Sequence, residues 1–400
     1  MQTKTKSKRW TRLRHNFIIY LAGLVLFPWM RLKYHVKVTP CPALRKRQCV
    51  VLLNHQTAFD QFFVSRALFP RHVYFVASED LFSMGLLSRL LRWAVAPIPI
   101  KKQTTDVQSV KTCMRVAREG GTIALAPEGN RTYSGLPCYS NPAIAPFIKR
   151  LGLPVAIFRI EGGYGIQPRW SDVCRKGRMH AFVHRIIELE EYEKLSNDDL
   201  YALIQTELFV DETQNKQLFH HKKLSEYLER AMYVCPVCGL TEFRSENDII
   251  TCTRCKRQVR YLPNQQLKGV DWEFPFPYVA QWYAYQENHV NQLDTTAHIE
   301  APLYRDTVTI SEVEPYRRKT VLEEQANLLL YGNRLQMGDR TLFFTDISVI
   351  TVLGKNKLNI YHTDALYQIK GNCRFNALKY MNIFYRNKNQ RTGGGNFLGI

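Results

Sequence analysis

No aspartate or glutamate occurs in the first fifty residues of this 400-residue chain, although that stretch holds 12 of its 55 lysines and arginines. The remaining 350 residues are nearly balanced, with 43 basic against 35 acidic side chains, so most of the net charge of +20 sits at one end. Charge placed that way points to an anionic surface met by the N-terminus. Also missing is an uninterrupted apolar run of the roughly 20 residues that a spanning helix needs. The longest run, Phe17 to Met30, has 14 residues, is broken by Gly23 and Pro28, and has basic residues with Trp10 and Trp29 at its borders. That length suits an interfacial or re-entrant element, a buried helix or the apolar part of a signal. No small-x-small cleavage site precedes Pro28, and Met30-Arg31-Leu32-Lys33 is a poor end for a signal peptide. The segment is therefore expected to lie in the interface of an anionic membrane, the bland alternative being an ordinary core helix with solvated charges. Internal repeats are absent as well.

Disulfides are not what the ten cysteines imply. Cys235, Cys238, Cys252 and Cys255 form two C-x-x-C pairs separated by thirteen residues that themselves read as a short hairpin. Each pair can make a tight knuckle presenting two thiolates to one tetrahedral zinc, so structural zinc and a reducing compartment follow. Cys41, Cys49, Cys113, Cys138, Cys174 and Cys373 lack such spacing and read as buried or incidental free thiols.

Four hundred residues exceed one hydrophobic core, and the texture divides them. Residues 1–45 are the basic, apolar segment. From 46 to 232 the runs "QCVVLLN", "HVYFVAS", "GGTIALAP", "LPVAIFRIEG" and "RMHAFVHRII" alternate with "TAFDQFFVSRALF", "GLLSRLLRWA" and "DVQSVKTCMRVAREGG". Short β-branched runs alternating with helical periodicity predict an α/β domain, a mixed sheet flanked by helices. Its charged exit, 187–230, favours helix, with Ser196 or Asn197 as a cap. Residues 233–268 form the zinc ribbon. Residues 269–400 read as an aromatic helix, several short strands and a closing helix over "RFNALKYMNIFYR", ending in a mobile tail, "TGGGNFLGI".

Two loops carry candidate chemistry. In "VVLLNHQTAFDQFF" a buried-looking strand delivers His55 at its carboxyl end, where α/β folds expose functional residues, and Asp60 follows in the first turn of the next helix. Thr57 and Asp60 also fit a capping box, which would give the acid a purely structural job. A second His-x-x-x-x-Asp, His289 and Asp294, reads as a decoy, since five helical steps of 100° put the pair on largely opposite faces. The second loop, "IALAPEGNRTYSG", supplies Glu128, Gly129 and Arg131. Glycine permits close backbone approach and arginine offers a planar fork to phosphate, the alternative being an exposed turn with a Glu and Arg ion pair.

In this order and about seventy residues apart, "NHQTAFD" and "PEGNRT" resemble the 1-acylglycerol-3-phosphate acyltransferases of the glycerolipid acyltransferase family, over roughly residues 45–215. "APIPIKK" and "GLPVAIFRIEGGYG" resemble two further family blocks. Asn130 and Thr132 depart from the Thr and Ser often found there, and Lys102 stands where arginine is usual. The resemblance implies an α/β acyltransferase domain moving an acyl group from a thioester, acyl-CoA or acyl-carrier protein, to the hydroxyl of lysophosphatidate or a related lysophospholipid. His55 would be the general base and Asp60 its orienting partner, with Glu128, Gly129, Arg131 and Lys102 binding substrate. A lipid acceptor in the bilayer and basic N-terminal flanks place the enzyme on the cytoplasmic face of the cell membrane, interfacial or monotopic. The C-terminal strands and helix, roughly 300–390, resemble a pleckstrin-homology or GRAM-like module with an accessory role. Two other classes fit parts of the chain: a zinc-ribbon nucleic-acid-binding protein, and a catalytically silent lipid-binding scaffold. No RNP, KH or helix-turn-helix pattern accompanies the ribbon, so nucleic acid is not the expected partner.

Overall fold

Four buried apolar residues in a row, Val50–Leu53, form the strand around which the first half of the chain is organised. The computed structural model describes residues 9–78, 81–82, 85–100, 106–314, 319–363 and 365–400. They fall into two units, one of Met1–Arg131, Pro137–Gly163 and Arg178–Val210, the other of Thr132–Leu136, Tyr164–Gly177 and Asp211–Ile400.

In chain order the elements begin α1 (Leu13–Tyr34), β1 (Val36–Val38), β2 (Val50–Leu53), α2 (Asp60–Leu68), β3 (Val73–Ser78), α3 (Leu86–Ala94), β4 (Ile98–Ile100) and α4 (Val107–Arg118). They continue with β5 (Thr122–Leu125), α5 (Ile144–Leu151), β6 (Val155–Glu161), the single turn α6 (Gly163–Ile166), β7 (Met179–Ile187), α7 (Leu189–Tyr192) and α8 (Asn197–Leu208). The sheet of the first unit has the order β1-β7-β6-β2-β5-β3-β4. Parallel β5 and β6 flank β2, whereas β7 runs antiparallel to β6. The sheet is thus mixed, as expected, and its central strands are continuous apolar runs because helices cover both faces. Helix starts follow side-chain chemistry: Asp106 accepts the amide of Ser109 before α4, and Ser196 that of Asp199 before α8. The two strands that escaped sequence reading, β1 and β4, have only three residues each.

Two sequence expectations need correction in this half. The apolar N-terminal run is not limited to Phe17–Met30: α1 extends over 22 residues, about 33 Å at 1.5 Å per residue, and keeps Pro28 inside it. By length and composition it can cross a membrane. The helical tendency over 187–230 is realised only through α8. Beyond it come the 3-10 turns Glu212–Gln214 and Leu228–Arg230, because Leu224, Leu228 and Met232 are drawn into the core of the second unit from an irregular backbone.

The strands of the second unit begin with the β8 (Val234–Cys235) and β9 (Gly239–Leu240) ribbon, then an antiparallel sheet of β10 (Phe243–Glu246), β11 (Ile249–Cys252), β12 (Gln258–Tyr261) and β13 (Leu267–Val270). Next come α9 (Val279–Gln292) and β14 (Tyr304–Glu312), β15 (Thr320–Leu330), β16 (Arg334–Met337), β17 (Arg340–Phe343), β18 (Ile347–Leu353), β19 (Lys357–His362) and β20 (Leu366–Gly371). These seven strands form one sheet, β17-β16-β15-β14-β20-β19-β18, closed by α10 (Ala377–Thr392). A mostly β domain with a closing helix was expected here. The end of the glycine-rich tail packs on the second unit: Leu398 is buried in the core, the Asn382 side chain donates to its carbonyl at 2.7 Å and that of Asn389 to Phe397 at 2.9 Å, while the three adjacent glycines, Gly393, Gly394 and Gly395, are exposed.

Candidate functional site

Where β2 runs out of backbone pairing, Asn54 continues it with a side chain. Its Nδ2 donates to the Ile160 carbonyl at 2.9 Å and its Oδ1 accepts the Ile160 amide at 2.8 Å, clamping the exit of β2 to β6. His55 therefore leaves from a fixed point. Its imidazole is 30% exposed, and Nδ1 lies 2.8 Å from Oδ2 of Asp60, which is 2% exposed. The same Oδ2 accepts the Gln56 amide at 2.8 Å, while Oδ1 accepts the Thr57 amide at 2.9 Å and the Thr57 hydroxyl at 2.6 Å. Helix α2 has Phe59 at its N-cap and no side-chain cap hydrogen bond, so Asp60 does not cap it; its carboxylate holds the preceding turn and orients the histidine at once. A carboxylate holding four donors has no lone pair to spare, so the neutral ring carries its proton on Nδ1 and keeps a lone pair on Nε2.

The second loop emerges beside the first because β5 pairs with β2, Leu125 opposite Leu52. Glu128 ties the loops: Oε1 accepts the His55 amide at 3.3 Å and Oε2 the Cys138 amide at 2.9 Å. Although Glu128 as a residue is only half-buried, its carboxyl group turns into the protein. Burial pushes it up to about 7, the two amides oppose that rise, and the charge of Asp60 adds to it. Gly129 has φ 62°, the left-handed region, and open space where a Cβ would be, so backbone conformation is what requires glycine there. Arg131 is 9% exposed. Lys102 lies outside the described residues. After β6, a Cβ on Gly163 would come within 2.6 Å of the Gln56 Cβ, so this glycine makes room for the histidine loop.

Glu128→Gln keeps the shape and removes the titration. The folded carboxyl holds its proton to about 7 whereas an unfolded one loses it near 4.5, so its stabilising contribution is complete below about 4.5 and is lost as pH rises through 7. The stability advantage of the wild type over Glu128→Gln, read from urea unfolding, is expected to shrink across that window. An advantage constant with pH would mean the carboxyl behaves as a solvated one.

In the second unit all four cysteines of the C-x-x-C pairs converge. Cys235 Sγ is 3.7 Å from Cys255 Sγ, Cys238 Sγ is 3.5 Å from Cys252 Sγ, and all four sulfurs lie within 4.8 Å of one another. Zn–S bonds of about 2.3 Å in a tetrahedron separate sulfurs by about 3.8 Å, so the donor set fits zinc. The Val237 amide points to Cys235 Sγ at 3.5 Å, a knuckle contact that supports a thiolate. The linker between the pairs contains the β10–β11 hairpin, in line with its sequence. His289 and Asp294 have other duties: the histidine ring packs on Gly239, and Asp294 caps the turn Thr295–His298.

Sequence reasoning missed Asn54, the Cys138 amide and Gly163. Asn54 left a trace, as the polar end of a buried strand directly before His55. The Cys138 amide left none.

Residues 35–156 match the model of the Acyltransferase family. The chain is 23% identical over 195 residues to the chloroplastic 1-acyl-sn-glycerol-3-phosphate acyltransferase BAT2 of Brassica napus, covering 45% of this chain and 52% of that protein. It thus spans about half the length of that relative. Identity to the 1-acyl-sn-glycerol-3-phosphate acyltransferase of Bacillus subtilis is 20% over 170 residues, 42% of this chain and 81% of the relative. Among solved structures, the 1-acyl-sn-glycerophosphate acyltransferase PlsC of Thermotoga maritima is similar with a TM-score of 0.37 and 17% identity, over 48% of this chain and 86% of that one.

Proposed function

We propose that the chain transfers an acyl group from a thioester, acyl-CoA or an acyl-carrier protein, to the free hydroxyl of 1-acylglycerol-3-phosphate or a related lysophospholipid. The observation that carries this reading is the His55 and Asp60 pair at the end of β2, inside the segment that matches the acyltransferase model. An alcohol is a weak nucleophile near neutrality. As its oxygen attacks the thioester carbonyl, its proton passes to Nε2 of His55, and Asp60 stabilises the imidazolium. When the tetrahedral intermediate collapses, the C–S bond breaks and the thiolate takes that proton. The substrate hydroxyl fills the place a serine holds in hydrolase triads, so no acyl-enzyme forms.

Arg131, with Lys102, is assigned to the acceptor phosphate. Glu128 orders the loop by joining His55 to Cys138, and Gly129 gives that loop its turn. The four cysteines would hold one structural zinc, and the C-terminal strands and helix serve as a PH-like or GRAM-like accessory module.

The reading is tested by following a labelled acyl group from acyl-CoA to lysophosphatidate in detergent. Removing one arginine from a charge-assisted phosphate contact is expected to raise the KM for the phosphorylated acceptor about 10- to 100-fold in Arg131→Ala, with little change for the thioester. Equal effects on both substrates would move Arg131 to the phosphates of CoA. Absence of transfer to any lysophospholipid from either donor would sink the proposal.

A further inference from the structure

Arg131 ends one stretch of the first unit, and the five residues after it, Thr132–Leu136, belong to the second unit before the chain returns at Pro137. Glu128 closes this loop at its base by holding the amide of Cys138, ten residues on. The middle of such a loop would ordinarily be free. Here it is tied down at successive points inside the second unit. Thr132 Oγ1 accepts the Ser134 amide at 3.2 Å and the Gly135 amide at 2.9 Å, which fixes the turn. The Gly135 carbonyl accepts the Glu212 amide at 3.1 Å. Tyr133 is buried in the core of that unit, and its carbonyl accepts the Tyr164 hydroxyl at 3.1 Å.

Tyr164 leads back to the other loop. It follows Gly163, which makes room for the histidine loop, and it marks the second place where the chain passes out of the first unit. The hydroxyl that donates to Tyr133 also accepts the Trp170 indole N–H at 3.2 Å. The segments that continue the two catalytic loops are therefore hydrogen-bonded to each other.

A guanidinium completes the clamp. That of Arg169 lies over the Tyr133 ring, 4.3 Å from its centroid, while Nε and Nη2 donate to the carbonyls of Gly354 and Val352 at the end of β18, both at 3.1 Å. Arg169 is itself buried, so its fork is set by the C-terminal sheet and the ring is held beneath it.

We propose that Tyr133 is a positioning residue for the acceptor: clamped by Arg169 and Tyr164, it fixes the backbone two residues after Arg131 and so places the guanidinium that meets the acceptor phosphate. Two residues of chain span at most about 7 Å, which leaves Arg131 little slack. The step from backbone to substrate rests on the reading of Arg131 as the phosphate ligand. On that reading the C-terminal strands take part in acceptor binding through the chain itself.

The test compares Arg169→Ala and Arg169→Lys with Tyr380→Phe, a control that removes a buried hydrogen bond to Asp306, 2.7 Å long, elsewhere in the same unit. Two readouts are taken on the full chain: KM for lysophosphatidate and for acyl-CoA, and the rate of tryptic cleavage after Arg131, which is buried in the wild type. Because misplacing a binding group by about 1 Å can cost about 100-fold, Arg169→Ala is expected to raise the KM for lysophosphatidate roughly tenfold or more and leave that for acyl-CoA unmoved. Cleavage after Arg131 should accelerate in parallel. Arg169→Lys keeps a cation over the ring without the fork, so it should fall between, and it carries the comparison if the alanine variant does not fold. Tyr380→Phe should melt earlier with both KM values unchanged. If both KM values stay put in Arg169→Ala, or rise together, the positioning role is overturned and Tyr133 is core packing alone. If neither the wild type nor any variant transfers an acyl group, the acyltransferase reading falls and cleavage decides: faster only in the Arg169 variants, the clamp on Arg131 stands; equal in all, it falls too.

Discussion

His55→Ala is expected to lower acyl transfer about 100- to 10,000-fold, the usual span for a general base, with almost no loss of stability. The second half of that expectation comes from Asp60. Without the imidazole its carboxylate still accepts the Gln56 amide, the Thr57 amide and the Thr57 hydroxyl, so the first turn of α2 stays tied. Asp60→Asn should behave differently. An amide presents an NH2 group to donors that need an acceptor, so the variant loses activity on the order of 10,000-fold, as in hydrolase triads, and also about 1–3 kcal/mol of stability. Rate and urea unfolding measured on both variants separate the roles. Equal activity of His55→Ala and wild type would leave the strand, turn and helix without chemistry.

Metal removal should have the other large effect. The chain is expected to carry one zinc, measured by elemental mass spectrometry, and to lose it in Cys252→Ser. Structural zinc contributes about 10–16 kcal/mol of apparent binding in small cysteine modules. The knuckles sit on the two-residue strands β8 and β9 and the four-residue strands that follow, so the metal would add to the hold that buried Val234, Phe243 and Ile250 give them in the core of the second unit. A strong chelator should therefore abolish the near-UV signal of this region and lower the Tm of the second unit, while His55→Ala leaves zinc content unchanged. A chain that melts identically with and without chelator and contains no metal would sink the assignment.

What the sequence disclosed was local. His55 and Asp60 are five residues apart, and each C-x-x-C pair is a single turn, so spacing alone announces that these groups meet. Contacts made across the fold stayed silent: Asn54 to Ile160 spans 106 residues and His55 to Glu128 spans 73, and nothing in either stretch marks its partner. Length was misjudged where apolarity was used as its measure. Helix α1 outruns its apolar core because Leu13–Asn16 and Arg31–Tyr34 contain no breaker, and their polar members sit at the ends. In the tail the opposite held, since three adjacent glycines hid the buried Leu398 beyond them.

The four-fold seat of Asp60 also bears on how much each position reveals about ancestry. A descendant that lost its chemistry would still need this acid to hold the turn of Gln56 and Thr57 against α2, so folding alone would preserve it. The half-exposed histidine has no such protection and would drift as soon as catalysis ceased to matter. In any set of related chains, the histidine rather than the aspartate is the position that separates working enzymes from retired ones.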